Sequence, residues 1–216
     1  EYTKRYSRFG RWMVTKMLHP IRQWDFRVAE RPDVIVANSK HTQKRIAKYW
    51  RRDSKVLYPP VNIRRFTPTD KHDNFFLIVS ALTPFKRIDL AVKAFQGREE
   101  KLVIIGDGAQ RKELERMAGK KTTFLGRLSD EKIKEYYENC RAFIFPGEED
   151  FGITPVEAMA CGKPVLAYGI GGVMESVVPG VCGEFFGQPT VESLLNGLNQ
   201  LLANESHYDS QKIRTI

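Results

Sequence analysis

Two carboxylates and a pair of cations are the residues of this chain whose types and spacing best suit chemistry. Glu149 and Glu157 stand with seven residues between them in Gly147-Glu-Glu-Asp-Phe-Gly-Ile-Thr-Pro-Val-Glu157, and Lys86-Arg87 follows Ala81-Leu-Thr-Pro-Phe85. The apolar run Ala142 to Phe145 reads as a buried strand feeding a Pro-Gly turn just before the carboxylates. Gly152 supplies backbone freedom ahead of Thr154-Pro155, which reads as the N-cap and first position of a helix. Thr154 and Glu157 also have capping-box spacing, so Glu157 is open to a purely structural role, and three acids in a loop are open to being a solvated turn. A loop between a strand and a helix lies where a parallel sheet offers ligands its strand ends. The helix-start amides there suit an anion, most simply a phosphate. Lys86 and Arg87 follow a second apolar run, Leu77-Ile-Val-Ser80, and a Pro-bearing loop, which brings two cations to the same end of the sheet. There they would neutralise charge growing on a leaving group; the plain alternative is a solvated Lys-Arg pair.

These positions require an alternation of strands and helices, and the chain supplies one from Phe75 onward. Strands are expected at 75–81, 101–106, 122–125, 142–145, 164–168 and 183–186, with helices near 87–96, 109–118, 129–138, 155–161, 172–177 and 191–203. This order implies an α/β fold, a mostly parallel Rossmann-like sheet with helices on both faces. Ahead of it, residues 1–19 place Phe9, Trp12, Met13 and Met17 near helical spacing among basic residues, and a second helix is expected over Ile21–Ala29. Asp33-Val-Ile-Val-Ala-Asn38 reads as a short buried strand, Ser39 as the cap of a basic helix Lys40–Trp50, and Val56 to Phe66, with paired prolines, as a stiff connector. The division falls near residues 66–73, giving a 1–68 segment and a 69–216 domain. His207 to Ile216 reads as a fraying terminus.

The 216 residues are 42% apolar and 28% charged, ordinary for a soluble globular chain, with no apolar run near the ~20 residues of a membrane span. The net charge of +9 is uneven: residues 1–70 hold 17 Lys and Arg against 6 Asp and Glu. Such a segment suits nucleic acid, anionic headgroups or an acidic protein surface, although no nucleic-acid motif is present. Cys140, Cys161 and Cys182 are odd in number and widely spaced, which fits a reducing cytosol and excludes a zinc ribbon. His19, His41, His72 and His207 share no metal-ligand spacing. The contiguous acids Glu148, Glu149 and Asp150 diverge on an extended backbone, so no obligatory metal is expected. Ile104-Ile-Gly-Asp-Gly108 is a weak dinucleotide signal lacking a third glycine, and Phe124-Leu-Gly-Arg-Leu-Ser129 is explained nearly as well by a strand-to-helix turn.

The segment Gly147 to Gly162, with Asp33-Val-Ile-Val-Ala-Asn-Ser39, Tyr58-Pro-Pro-Val-Asn62 and Lys86-Arg-Ile-Asp-Leu90, resembles the retaining glycosyltransferases of group 1 (family 4) with the GT-B fold. The resemblance spans about residues 24–200. It is similar most to the branch of GDP-mannose-dependent mannosyltransferases of polysaccharide assembly. It implies that Glu149 contacts the donor sugar, Glu157 the ribose and Lys86 the diphosphate. Arg87, Gly106, Asp107, Gly108, Arg127, Leu128, Phe151, Gly152, Ile153 and Thr154 would line the donor site, with the backbone at Arg127 and Leu128 reading the base. Many members carry Arg five residues before this Lys; here Ala81 stands there, and whether Arg87 substitutes is open. The implied cofactor is none beyond a nucleotide-sugar donor, GDP-mannose. The implied partner is a glycan or lipid-linked acceptor in the cytoplasm; the basic opening helix itself reads first as packing on a domain, with a peripheral contact at the inner membrane face as the alternative. Residues 1–65 hold one confident strand and no Gly-rich opening loop, so the chain is expected to be the donor-binding part with the tail of the acceptor domain, binding donor without transferring it. Two rivals stand beside this reading: a non-catalytic nucleotide-binding module of the same fold, and a nucleic-acid binder through the basic segment.

Overall fold

The computed structural model describes residues 7–216, in two compact units that divide between Tyr58 and Pro59. Of residues 1–19, where an opening helix is expected, the first six lie outside the described residues.

The first unit runs α1 (Arg8–Val28), β1 (Val36–Ala37), α2 (Lys40–Trp50) and β2 (Lys55–Val56), the two short strands pairing in parallel. The sequence expects a break at Pro20, yet one helix passes through it with Pro20 in its interior. The ring removes one backbone donor, and the helix continues with that bond unmade. The expected strand at 33–38 shrinks to Val36–Ala37, and Val34 and Val36 are exposed while Ala37 is buried. A two-stranded ribbon has one covered face, so an apolar run need not be buried throughout. Helix α2 begins and ends where expected, because Ser39 Oγ accepts from the Thr42 amide at 3.0 Å.

The second unit is a six-stranded sheet of β3 (Phe75–Val79), β4 (Lys101–Ile105), β5 (Thr122–Gly126), β6 (Ala142–Phe145), β7 (Val165–Tyr168) and β8 (Gly183–Phe186). All neighbours are parallel, in the order β5-β4-β3-β6-β7-β8. The strands are apolar on both faces, as a doubly covered sheet requires. Phe76, Ile78, Leu102, Ile104, Ile144 and Leu166 pack under helices α3 (Ile88–Ala94), α4 (Arg111–Met117) and α7 (Val191–Ala203). The alternate residues Phe75, Leu77, Ile105, Phe143, Phe145, Val165 and Ala167 pack under α5 (Asp130–Asn139), α6 (Ile153–Ala160) and α8 (Ser210–Arg214). The expected period of two along each strand and helices on both faces are therefore both present. All three cysteines are free and buried among these side chains.

Three local expectations are corrected. Helix α6 starts at Ile153, not at Pro155. Gly152, at φ 91°, is its N-cap and no side chain caps it, so Thr154 is no cap and Glu157 lies too far along the helix to complete a box. Pro155 still fits, because the first-turn N–H it lacks has no helical partner. The stretch 172–177 is a 3-10 turn over Gly172–Glu175. The last residues do not fray. Ser210 and Ile213 are buried, and the Arg214 guanidinium donates to the carbonyls of Phe66, Ala160 and Ile63 at 2.8, 2.5 and 2.8 Å.

Candidate functional site

Sheet order changes direction at β3, whose successor β4 lies on one side and whose other neighbour is β6. The loops leaving the C-terminal ends of β3 and β6 run to opposite faces and open a crevice there, where ligands of such folds bind. These two loops carry Lys86 and Glu149. Lys86 closes a 3-10 turn, Pro84–Lys86, and Arg87 then turns left-handed (φ 52°) to enter α3. Gly147 lets the β6 loop pass against that turn, because a Cβ there would lie 2.8 Å from the Lys86 Cα and carbonyl oxygen. The outcome is an ion pair between Lys86 Nζ and Glu149 Oε1, with the two side chains 19% and 24% exposed. Burial pushes the Lys86 ammonium below the usual lysine value.

Glu149 is held from its far side by the loop after β7. The Gly172 amide donates to the Glu149 carbonyl at 2.9 Å, and Glu149 and Gly171 form an isolated parallel bridge. A Cβ on Gly171 would lie 2.4 Å from that carbonyl, and one on Gly172 would lie 2.1 Å from the Asp150 carbonyl. The Gly-Gly pair thus allows two backbones to touch and fixes where the carboxylate leaves the chain. Ile153 is exposed and Thr154 half-buried in the uncapped first turn of α6, while Phe151 and Gly152 are buried beneath it. This sets the positive end of a helix without a side-chain cap at the end of the loop that carries Glu149.

The remaining expected residues divide. The backbone of 106–108 lines the next loop: the Ser80 amide donates to Ile105 O and the Leu82 amide to Asp107 O, both at 3.0 Å. Gly106 and Gly108 are required by this contact alone, since a Cβ on them would meet the Ser80 and Leu82 carbonyls at 1.9 and 2.5 Å. The Asp107 carboxylate accepts from the Gly108 amide at 2.8 Å and pairs with Arg111 at 3.6 Å. Arg87 is bound to Asp89 through Nε and Nη2, at 3.0 and 3.3 Å, so its charge is already committed within its own helix turn. Arg127 is exposed just beyond edge strand β5, and Leu128 packs against the core under α5 and α6.

Glu157 projects from α6 toward α5, where Tyr137 donates to its Oε2 at 3.0 Å. Its half-buried carboxyl is held above the usual carboxylate range, burial being the largest cause, with the Tyr137 bond and the Arg65 charge opposing it. Sequence reasoning missed this tyrosine, and no spacing signal marks it. It also missed two side-chain oxygens buried without a hydrogen-bond partner at the same strand ends, Thr83 Oγ1 and Gln110 Oε1. Among the described residues, no group of three or more His, Cys, Asp or Glu is placed to hold a metal ion, and no helix is long and apolar enough to cross a membrane.

The arrangement offers a cation and a carboxylate in contact at the switch point of the sheet, a second carboxylate on the adjoining helix, and the start of that helix, with no side-chain cap, between the two carboxylates. Such a set can hold a polyhydroxylated group next to a phosphate. Known proteins share the fold and parts of the sequence. Among solved structures, Anabaena HepE in complex with UDP-glucose superposes with a TM-score of 0.77 at 25% identity, over 90% of this chain and 61% of that one. Sucrose-phosphate synthase from Thermosynechococcus elongatus superposes at 0.78 and 20% identity, over 100% and 58%, and shares the fold. An uncharacterized glycosyltransferase of Methanocaldococcus jannaschii is 29% identical over 178 residues, covering 80% of this chain and 50% of that protein. The alpha-1,3/1,6-mannosyltransferase ALG2 of Dictyostelium discoideum is 27% identical, covering 79% and 52%. The chain spans about half the length of these curated relatives. The family model for glycosyl transferases group 1 matches residues 61–215, which takes in every candidate site residue, and the chain belongs to that family.

Proposed function

We propose that this chain provides the donor side of a retaining glycosyltransferase that moves mannose from GDP-mannose to a glycan or lipid-linked acceptor. In this reading residues 69–216 bind the nucleotide sugar and residues 1–68 form the tail of the acceptor-side domain. The observation that carries it is the Lys86–Glu149 pair at the sheet crevice. A sugar linked to a diphosphate needs an acceptor for its hydroxyls beside a cation for its leaving group, and these two side chains supply both.

The roles follow from charge. As the bond between the anomeric carbon and the diphosphate lengthens, negative charge gathers on the leaving oxygen. Lys86 and the first-turn amides of α6 meet that charge, which makes them worth more in the transition state than in the ground state. Glu149 receives hydroxyl protons of the sugar and holds its ring against the departing phosphate. Glu157, near Arg65 and bonded to Tyr137, receives the ribose hydroxyls. With Lys86 and helix amides facing the diphosphate, no resident metal is assigned a role. Support for mannose comes from the likeness to ALG2, while the UDP-glucose bound to HepE supports a nucleotide-sugar donor in general.

For the basic unit, helix α1 supports a peripheral contact with anionic lipid at the inner membrane face. Phe9, Met13, Met17, Ile21 and Trp24 are exposed on one side, Met17 at 72%, Arg8, Arg11 and Arg22 occupy the other, and Lys16 lies at the edge over the Trp12 ring. Thermal-shift screening against GDP-, UDP- and ADP-sugars tests the donor assignment: a ligand-dependent rise confined to GDP-mannose is expected. A rise with UDP-sugars alone would transfer the reading to another donor.

A further inference from the structure

Glu157 is held by one residue that no ligand assignment requires. Tyr137 lies in α5 with its side chain fully buried. Its ring is wedged between Phe66, edge-on at 6.0 Å, and Phe143, tilted at 5.6 Å. A ring fixed on two sides leaves its hydroxyl little freedom, and a buried hydroxyl must find a partner. The partner is Glu157 Oε2, at 3.0 Å. The direction of this bond is settled by chemistry. A carboxylate only accepts, and burial together with that carboxylate keeps the phenol protonated by pushing its pKa well up. Oε2 is thereby occupied and the carboxylate plane set. Oε1 is not among the side-chain atoms buried without a partner, so it is left to water, which a ligand hydroxyl can replace.

We propose that Tyr137 is a positioning residue for the nucleotide ribose, orienting Glu157 so that Oε1 is left to accept from a ribose hydroxyl. This rests on the assignment of Glu157 to the ribose made above. Tyr137 itself does not touch the nucleotide. It acts before the ligand arrives, by removing the rotamers in which Glu157 would turn to solvent, so its effect is confined to ligands that carry the ribose hydroxyls.

The test compares GDP with 2′,3′-dideoxy-GDP by titration calorimetry on the 216-residue chain, on Tyr137→Phe, on Glu157→Ala and on the double variant. The unaltered chain should prefer GDP by roughly tenfold or more, the scale of a hydrogen bond to a charged group. Glu157→Ala should abolish this preference. Tyr137→Phe should lose most of it, through weaker GDP binding with dideoxy-GDP affinity unmoved, and should add no further loss in the Glu157→Ala background. Equal weakening of both nucleotides by Tyr137→Phe, or no weakening of either, overturns the proposal while leaving the ribose assignment intact. An unchanged preference in Glu157→Ala overturns the ribose assignment, and the proposal with it. Should the Phe variant fail to fold, 3-fluorotyrosine at position 137 keeps the ring and strengthens the donor. The preference for GDP should then increase, and a preference that stays fixed overturns the proposal.

Discussion

Lys86 Nζ and Glu149 Oε1 are in contact across the two loops that leave β3 and β6, at the point where strand order reverses. The β6 loop is placed on both sides by backbone approaches that only glycine permits, at its own Gly147 against Lys86 and at Gly171 and Gly172 of the β7 loop against Glu149 and Asp150. The pair is therefore set by the fold and not by the flexibility of a long side chain. Without donor, each charge answers the other. We propose that a bound donor would share the ammonium with phosphate and the carboxylate with sugar hydroxyls.

A first prediction concerns Glu149→Ala. The pair is only partly buried, so its loss should cost no more than about 1 kcal/mol and move the melting temperature by roughly 2–4 °C at most. GDP should bind at least as well as before, since Lys86 loses its competitor, but GDP-mannose should lose its advantage over GDP. In a complete enzyme, turnover should fall by about a hundredfold or more. Near-normal turnover would remove Glu149 from the site.

Glu157 links function to pH-dependent stability. Its carboxyl is held above its ordinary value in the folded chain, chiefly by burial. The unfolded chain therefore loses this proton first as pH rises. Folding carries no penalty from Glu157 below the ordinary carboxylate pKa, and gains one as pH rises through the elevated folded value. Glu157→Gln keeps an acceptor for Tyr137 without the charge, so it should be more stable than the unaltered chain at pH 7. The difference should close as pH falls through the carboxylate range. Denaturant melts at pH 7 and pH 4 read this directly, and a gain that persists at the lower pH contradicts the burial argument.

The C-terminal segment should matter for stability. Arg214 satisfies three carbonyls on two distant segments. Arg214→Ala leaves them with only such water as can enter, and should destabilise the second unit by about 2–3 kcal/mol. A loss below 0.5 kcal/mol, taken as roughly the range of ordinary surface substitutions, would return this stretch to the status of a loose end.

Much of this was legible in the sequence because it is local. The runs Phe75–Val79 and Ala142–Phe145 are apolar on both faces, which only a doubly covered sheet explains, and Ser39 marks the start of α2 by its own side chain. The carboxylate and lysine could be placed at one sheet end because strand-to-helix order fixes which end each loop occupies. The failures are of the opposite kind. The start of α6 was misplaced because the positive φ of Gly152 begins the helix before Thr154 can cap it. Arg214 looked idle because its partners lie near Ile63 and Ala160, and the Tyr137–Glu157 bond joins two helices that no periodicity relates. Pro20 within α1 runs against the sequence rule, and nothing packed against that helix among the described residues explains it.

The most direct test of the account is Lys86→Ala, titrated with GDP and with guanosine. If Lys86 meets the diphosphate, the variant should lose GDP affinity by about tenfold or more while guanosine binding is unchanged, because only the former carries the charge. Equal weakening of both ligands, or GDP binding as tight as in the unaltered chain, would contradict the assignment of this crevice to a nucleotide sugar.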